Sequence, residues 1–285
     1  GLAVAVWLLP WPGECIQAAL GVARLPLPQP DLAAIVLTSG TTGRPKAAML
    51  TWANLRASAD ASAARLGAFT DDRWLLTLPL YHVGGLSIIY RALWSGFTVE
   101  PLPRFDLTTV QAACASTAPT LISLVPTMLT RLLAAGWTAA SLRLLLLGGA
   151  AASSSLCQQA LAAGLPLALT YGLTEACSQV ATALPAEVAT HPQSVGKPLA
   201  GYTIAVRAET GQSLPANTPG ELYLQSPAVF AGYYRDPAAT AAVLQAGWLR
   251  TGDWGLLDDI GRLQVLDRRT DLIVSGGEIH PGDVR

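Results

Sequence analysis

Residues 34–46 have the sequence AIVLTSGTTGRPK, in which a short apolar run leads directly into hydroxyl residues, glycines and a lysine. The run Ala34–Thr38 is predicted to be a buried strand. The loop after it offers hydroxyl groups, exposed backbone N–H groups and a positive charge, which together suit a polyphosphate. The spacing is not that of a Walker A loop, because the fifth position after Gly40 is Pro45. An ordinary polar loop is the alternative, and the nine specified positions after a strand disfavour it. The candidate phosphate-binding residues are Thr38, Ser39, Gly40, Thr41, Thr42, Gly43 and Lys46.

Downstream of this loop, strand-like and helix-like segments alternate as far as residue 170. Thr51 is placed to cap a helix over Trp52–Leu66, and Gly67 is placed to end it. Alternation of this kind indicates βαβ units, and hence an α/β fold with a mostly parallel sheet and helices on both faces. The other predicted strands are Arg73–Leu78, Thr120–Val125, Leu142–Leu147 and Leu167–Thr170, and the other predicted helices are Leu86–Trp94, Leu107–Ala115, one starting at Pro126, and Ser155–Ala163.

The pattern changes after residue 193, where short strands are divided by glycine and proline turns. We therefore predict an α/β subdomain over 1–193, a smaller β-rich subdomain over 194–267, and a hinge leading into a further domain over 268–285. Leu184–Gln193 is the predicted connector. The strands predicted in the second part are Tyr202–Arg207, Glu221–Gln225 and Arg262–Leu266.

Composition excludes several classes of protein. Of 285 residues, 51% are hydrophobic, 13% are charged, and the formal net charge is −1, which excludes disorder and gives no sign of nucleic-acid binding. We see no stretch long and apolar enough to span a membrane. The four cysteines form no C-x-x-C motif, so we expect thiols of a reducing compartment, the cytoplasm. The histidines and cysteines show no metal-ligand spacing, and a G-x-S-x-G hydrolase motif is absent.

Two short motifs carry acidic groups. Glu175, in the YGLTE sequence of residues 171–175, could give one oxygen to Mg²⁺, although an acid complementing a helix N-terminus is the alternative. Asp253, in the TGD sequence of residues 251–253, could accept both ribose hydroxyls, and a turn-forming aspartate is equally compatible with the sequence. Thr174 could bond the α-phosphate or the carboxylate being activated. Gly148, Gly149 and Ala150 could admit a flat base beside Tyr171, or simply form a tight turn.

These motifs, in this order, resemble those of the adenylate-forming enzymes, which include acyl-CoA synthetases, aryl-CoA ligases, luciferases and peptide-synthetase adenylation domains. Residues 268–277, RRTDLIVSGG, resemble the segment that leads into the family's small C-terminal domain. The resemblance implies ATP, Mg²⁺ and CoA as ligands and an acyl-adenylate intermediate. It assigns catalysis to His82, Thr174 and Glu175, with Glu175 on the metal. It assigns ATP binding to the loop residues above and to Gly148, Gly149, Ala150, Tyr171, Gly172, Asp253 and Arg268, and a hinge to Thr270 and Asp271.

Within this family the o-succinylbenzoate–CoA ligases of menaquinone biosynthesis are the best fit. The similarity lies in residues 79–91 and 124–129 and in the CSQ sequence after Glu175. His82 is expected at the ligand edge of the sheet, bordering the phosphates and the acyl pocket. Arg91 could bind a second carboxylate of the substrate, and a solvent-facing helix arginine is the alternative.

The resemblance also bears on what these 285 residues encode. It implies a longer upstream segment and a C-terminal domain whose lysine assists adenylation, so we expect slow adenylation, no CoA thioester and some self-association, with a homodimer as one possibility. Three alternatives stay open: another acyl- or aryl-CoA ligase, a domain that loads a carrier protein, and a non-catalytic nucleotide-binding remnant.

Overall fold

The computed structural model describes residues 31–38, 45–268, 272–275 and 278–281, with side chains described as far as residue 266. Ser39, Gly40, Thr41, Thr42, Gly43, Thr270 and Asp271, which the sequence analysis singled out, lie outside the described residues. Arg268 is described through its backbone alone.

The largest sheet has six strands and confirms the predicted α/β class. Its strand order is β4-β3-β5-β6-β7-β8, with every neighbouring pair parallel except β7 and β8. Its strands are β3 (Arg73–Leu76), β4 (Thr98–Pro101), β5 (Leu121–Leu124), β6 (Leu144–Leu147), β7 (Leu167–Leu173) and β8 (Ser178–Ala183). β5 and β6 are buried along their whole length, as is usual for parallel strands covered by helices on both faces.

Five helices precede or connect these strands. They are α1 (Trp52–Leu66), α2 (Val83–Ser95), α3 (Leu107–Thr117), α4 (Pro126–Ala134) and α5 (Ser154–Ala162). α2 starts at Val83, ahead of the predicted Leu86. The backbone N–H of Asn54 donates to Thr51 Oγ1 and that of Thr51 donates to Asn54 Oδ1, a reciprocal cap that starts α1. Gly67 ends α1, and Pro126 occupies the first turn of α4, both as predicted.

The strand before the phosphate loop is not part of the parallel sheet. β1 (Leu32–Thr38) pairs antiparallel with β2 (Lys46–Thr51), which in turn pairs with β11 (Gly232–Tyr233). The expectation that residues 32–170 form one alternating α/β series was therefore wrong at its start. The sequence analysis missed β2 because it treated the segment up to Lys46 as loop and assigned the next element to α1.

The β-rich part forms a five-stranded antiparallel sheet, which confirms the predicted change of architecture. Its strands are β9 (Thr203–Arg207), β10 (Gly220–Gln225), β12 (Leu244–Gln245), β13 (Trp248–Leu257) and β14 (Leu263–Arg268). Two short helices, α6 (Pro185–Thr190) and α7 (Pro237–Val243), lie in this half, and α6 occupies much of the segment predicted as a connector. β15 (Leu272–Ser275) and β16 (Glu278–Pro281) pair as a hairpin. The subdomain boundaries at residues 193 and 267 stay predictions.

The structure bears on the expected absence of a membrane span and on the expected free thiols. In the described part of the chain, no helix combines the length and apolar character that crossing a bilayer would require. Cys114, Cys157 and Cys177 are free thiols, and burial raises the pKa of each. Cys15 lies outside the described residues.

Candidate functional site

The carboxyl ends of the parallel strands carry several of the predicted site residues. His82 follows β3, is exposed, and occupies the N-cap position of α2, while Gly148 directly follows β6. Thr174 and Glu175 follow β7 in a single 3-10 turn, Thr174–Ala176. Ligands of open α/β sheets bind at this edge. His82 lies there, and its role at a ligand site stays a prediction.

Glu175 and Lys46 both contact Tyr233. The Tyr233 hydroxyl donates a hydrogen bond to Glu175 Oε1 at 2.7 Å, and Lys46 Nζ is 5.1 Å from the centroid of the same ring. The backbone also joins these segments, because the N–H of Phe230 donates to the carbonyl of Glu175 at 2.9 Å. Burial raises the pKa of the Tyr233 hydroxyl, and the Glu175 carboxylate raises it further. The hydroxyl therefore stays protonated and acts as a donor.

Asp253 and Tyr171 form a second pair. The Tyr171 hydroxyl donates to Asp253 Oδ2 at 2.6 Å, and only 6% of Asp253 is exposed. Asp253 lies inside β13, opposite the backbone of Arg268 on β14. The alternative of an aspartate that forms a turn is therefore wrong. The carboxylate is buried on a strand and follows Gly252, which has a positive φ of 76°.

The glycines of the predicted adenine site are required by packing. A Cβ on Gly148 would lie 2.6 Å from Thr170 Cγ2, and Gly149 has a φ of 81°. A Cβ on Gly172 would lie 1.9 Å from the carbonyl oxygen of Ser178, where the pairing of β7 with β8 shifts register. Gly172 therefore has a structural reason for being glycine, whatever contact it makes with a nucleotide.

Arg91 is buried, contrary to the alternative of a solvent-facing helix arginine. It is 4% exposed, its Nη2 donates to Ser178 Oγ at 3.3 Å, and its guanidinium carbon is 5.6 Å from the centroid of Trp74. Its Nε is buried without a hydrogen-bond partner, and among the described residues no carboxylate pairs with it. Burial lowers the pKa of Arg91 to about 10. The guanidinium thus lies between Trp74 on β3 and Ser178 at the start of β8.

Ser178, which Arg91 contacts, has an unusual backbone. Its φ is 109°, and that of Cys177 before it is 57°, both uncommon for residues with a side chain. Ser87 Oγ on α2 lies 3.3 Å from Ser178 Oγ. Strained backbone of this kind is concentrated at functional sites.

Two cavities among the described residues lie away from this edge. The larger one, about 350 Å³, lies between the segment 190–194 and the β13–β14 hairpin, and none of the predicted site residues lines it. A gap of about 10 Å³ beside Arg91 is too small for more than a water molecule.

Sequence reasoning missed two residues that the structure brings into the site. Tyr233 and Ser178 both contact predicted residues, Glu175 and Arg91 respectively. Tyr233 belongs to a Gly-Tyr-Tyr run far along the chain from the loop, and only the pairing of β11 with β2 brings it there. Ser178 lay inside the CSQ sequence that was noted for its resemblance alone.

The ligand-binding roles assigned to all of the predicted site residues stay predictions. Within the described part of the chain, no side-chain hydrogen bond joins another predicted site residue to Thr38, Thr174, Gly148, Gly149 or Ala150. Thr38 is placed opposite Lys46 in the β1–β2 hairpin, so the two ends of the phosphate loop are adjacent. The described residues contain no cluster of three or more histidine, cysteine, aspartate or glutamate side chains able to hold a metal ion. Magnesium is commonly held by one or two carboxylates together with substrate phosphates, so Glu175 meets this requirement without such a cluster.

Known proteins are similar to this chain in sequence and fold. The 2-succinylbenzoate–CoA ligase of Bacillus licheniformis is 44% identical over 256 residues, which cover 89% of this chain and 53% of that protein. Among solved structures, the o-succinylbenzoate CoA synthetase (MenE) of Bacillus subtilis in complex with the acyl-adenylate intermediate OSB-AMP has a TM-score of 0.83 and 40% identity, covering 87% of this chain and 51% of that one. The same synthetase in complex with ATP and magnesium ion has a TM-score of 0.81 and 41% identity, covering 86% and 52%.

This chain spans about half the length of the curated relatives that it matches. The sequence profile of the AMP-binding enzymes matches residues 7–234, which include the phosphate loop, the Glu175 turn and Tyr233. The chain therefore belongs to the AMP-binding enzyme family.

Proposed function

We propose that this chain is the nucleotide- and acid-binding part of an ATP-dependent carboxylate–CoA ligase whose acid is o-succinylbenzoate. The observation that carries the proposal is that Lys46, at the end of the phosphate loop, and Glu175 both contact Tyr233. A cation and a carboxylate held close but unpaired suit a nucleotide that brings both phosphates and a divalent metal. Relatives named as 2-succinylbenzoate–CoA ligases support the choice of acid.

The residues present fit a magnesium ion. Glu175 uses Oε1 to accept from Tyr233, and among the described residues nothing engages its other carboxylate oxygen. Glu175 would therefore hold Mg²⁺ together with phosphate oxygens and water. When bound, the ion would neutralise charge that develops on the phosphates.

We assign the remaining contacts with ATP and the acid to the other predicted site residues. The loop Thr38–Lys46 would cradle the β- and γ-phosphates, and Thr174 would bond the α-phosphate. His82 would border the phosphates and the acid. The adenine would lie on Gly148, Gly149, Ala150 and Gly172 beside Tyr171, while Asp253 and Arg268 would bind the ribose.

In the proposed reaction, a carboxylate oxygen of the acid attacks the α-phosphorus of ATP. The bond from that phosphorus to the bridging oxygen breaks, and pyrophosphate leaves with the electron pair. The CoA thiolate then attacks the acyl carbon and AMP leaves, giving the thioester. The protein's part in the first step is to orient the two reactants and stabilise charge, so fixed positions for Lys46, Thr174 and Glu175 matter more than covalent chemistry.

Arg91 provides the proposed selectivity for a second carboxylate. A buried guanidinium without a carboxylate partner gains most from an anionic ligand, because its charge is otherwise poorly solvated. Its contact with Ser178 Oγ is its route to the ligand edge. The same proposal includes CoA as the acceptor, a cytoplasmic location and a possible homodimer. Slow adenylation by these residues alone stays a prediction.

Thermal unfolding of the chain with combinations of ligands tests this function. ATP with Mg²⁺ should raise the melting temperature, and o-succinylbenzoate should raise it further only when both are present, since a ligand at 100 times its Kd adds about 2.7 kcal/mol of stability. Glu175→Gln should abolish pyrophosphate release in the presence of the acid while preserving the unliganded melting temperature. Preference for a long-chain fatty acid would indicate another acyl-CoA ligase. No response to ATP and Mg²⁺ would refute the proposal.

A further inference from the structure

Tyr233 is the one residue that contacts both predicted phosphate-site charges among the described residues. It is 7% exposed, its hydroxyl bonds Glu175 Oε1 at 2.7 Å, and Lys46 Nζ lies 5.1 Å from the centroid of its ring. The hydroxyl thus faces the acid while the ring contacts the base.

The position of Tyr233 is fixed from several sides. Its backbone N–H donates to Thr240 Oγ1 at 2.8 Å, and it pairs with Ala48 on β2, two residues after Lys46. The ring of Phe230 packs edge-on against it at 4.8 Å. Gly232 before it has a φ of 125°, and a Cβ there would lie 2.7 Å from Thr240 Cγ2. The backbone that carries the ring therefore has little room to move.

The arrangement also keeps two opposite charges apart. Lys46 and Glu175 form no ion pair with each other or with another described residue. A direct pair between them would satisfy each charge internally and would compete with a phosphate and a divalent cation for the same groups. The ring of Tyr233 contacts the lysine, while its hydroxyl occupies one oxygen of the glutamate.

We propose that Tyr233 is a positioning residue for the metal–nucleotide complex: its hydroxyl orients the Glu175 carboxylate so that Oε2 is kept for Mg²⁺, and its ring keeps Lys46 available to phosphate. The inference rests on the proposed function. Hydrogen-bond partners of metal-binding carboxylates fix the orientation of those ligands, and removing such a partner typically costs about 10–100-fold in metal affinity.

Calorimetric titration of the chain with ATP, first in excess EDTA and then with saturating Mg²⁺, separates this role from a structural one. The ratio of the two Kd values gives the affinity that the metal adds. For Tyr233→Phe, which keeps the ring, we expect the metal-free Kd to stay within about twofold and the added affinity to fall about tenfold. Tyr234→Phe, the same change at the next residue, should alter neither quantity. Electron paramagnetic resonance of bound Mn²⁺ measures the metal occupancy and requires no enzymatic turnover.

A double-mutant cycle decides whether Tyr233 acts through Glu175. In a Glu175→Gln background, Tyr233→Phe should change the metal-dependent gain by less than about twofold, since the oriented carboxylate is already gone. Additive losses, or an equal loss of metal-free ATP affinity, would overturn the positioning role while leaving the proposed function intact. A wild-type chain whose ATP affinity does not respond to Mg²⁺ would overturn both.

A measurement on the wild-type ring covers the case in which Tyr233→Phe melts too low to titrate. The ¹³Cζ resonance of Tyr233 should shift when Glu175 is changed to Gln and when Mg²⁺ is added to the ATP complex. An unmoved resonance in both experiments would overturn the inference.

Discussion

We expect Arg91 to lower the stability of the unliganded chain while it serves to recognise the acid, and one substitution can measure both effects. The side chain is 4% exposed and has no carboxylate partner among the described residues, so its charge is held in the protein at a cost. We predict that Arg91→Met, which keeps most of the volume and removes the charge, makes the unliganded chain more stable. The same change should abolish the added stabilisation by o-succinylbenzoate.

The magnitude follows from the pKa of Arg91, which burial lowers from 12.5 to about 10. At 1.36 kcal/mol per pH unit, this fall corresponds to about 3 kcal/mol that disfavours the folded state. The penalty is complete below pH 10 and is relieved only as the pH rises from there towards 12.5, so neutral buffer shows all of it. Contacts with Ser178 Oγ and the Trp74 ring offset part of it, about 1–2 kcal/mol. We therefore expect Arg91→Met to add about 1–2 kcal/mol.

Thermal unfolding at neutral pH, with and without ATP, Mg²⁺ and the acid, measures both effects. For a chain of this size, 1–2 kcal/mol raises the melting temperature by about 2–6 °C. Arg56→Met is the matched control, because Arg56 is exposed and paired with Asp60, and its loss should change stability by less than about 1 kcal/mol.

Two results would refute this reasoning. A destabilisation of more than about 1 kcal/mol by Arg91→Met would mean that the guanidinium contributes net stability to the fold. Unchanged stabilisation by o-succinylbenzoate, compared with an analogue lacking the second carboxylate, would mean that Arg91 does not recognise that group.

Two further predictions concern the frame around the site. Gly172→Ala should lower the free energy of unfolding by at least about 3 kcal/mol, because a Cβ there would lie 1.9 Å from a carbonyl oxygen of the neighbouring strand. The control is Gly136→Ala, where φ is 67° but no atom lies within 4 Å of the added Cβ, and it should cost only about 1 kcal/mol. Equal losses in melting experiments on the two variants would contradict the steric argument. Burial alone would raise the pKa of Asp72, but hydrogen bonds from Arg143, from a threonine hydroxyl and from a backbone N–H bring it below its usual 3.8. The stability that Asp72 contributes should therefore be present above pH 3.8 and be lost as the pH falls through the lowered pKa. Acid titration of Asp72→Asn should remove this part of the transition, and an unchanged profile would contradict it.

The sequence predicted the elements whose signals are local. Thr51 and Gly67 mark the ends of α1, and the leucine run of β6 is buried as expected. β11 could not be predicted, because its two residues carry no periodicity and its partner strand lies far away in the sequence. Burial of the Arg91 side chain was equally hidden, since it depends on how α2 packs against β3 and β8.

In the candidate site, too, residues in local motifs were predictable, and a residue brought in by tertiary pairing was not. Glu175, Asp253 and His82 were identified from short motifs, and each lies at an edge or in a pairing consistent with binding a ligand. Tyr233 escaped notice because its importance arises from tertiary pairing and no local pattern marks it. Tyrosine beside glycine is common in strands, so the chemistry of a single residue gave no reason to select it.

The position of β2 between β1 and β11 has a consequence for how the chain is made. While a ribosome extends the chain from residue 51 to residue 233, β2 has only one of its two neighbours, and its other edge offers unpaired N–H and C=O groups. At a synthesis rate of about 5–20 residues per second, this exposure lasts on the order of 10–40 seconds. The strand that begins at Lys46 is thus open to pairing with other chains throughout that interval, and chaperone contact during synthesis would protect it.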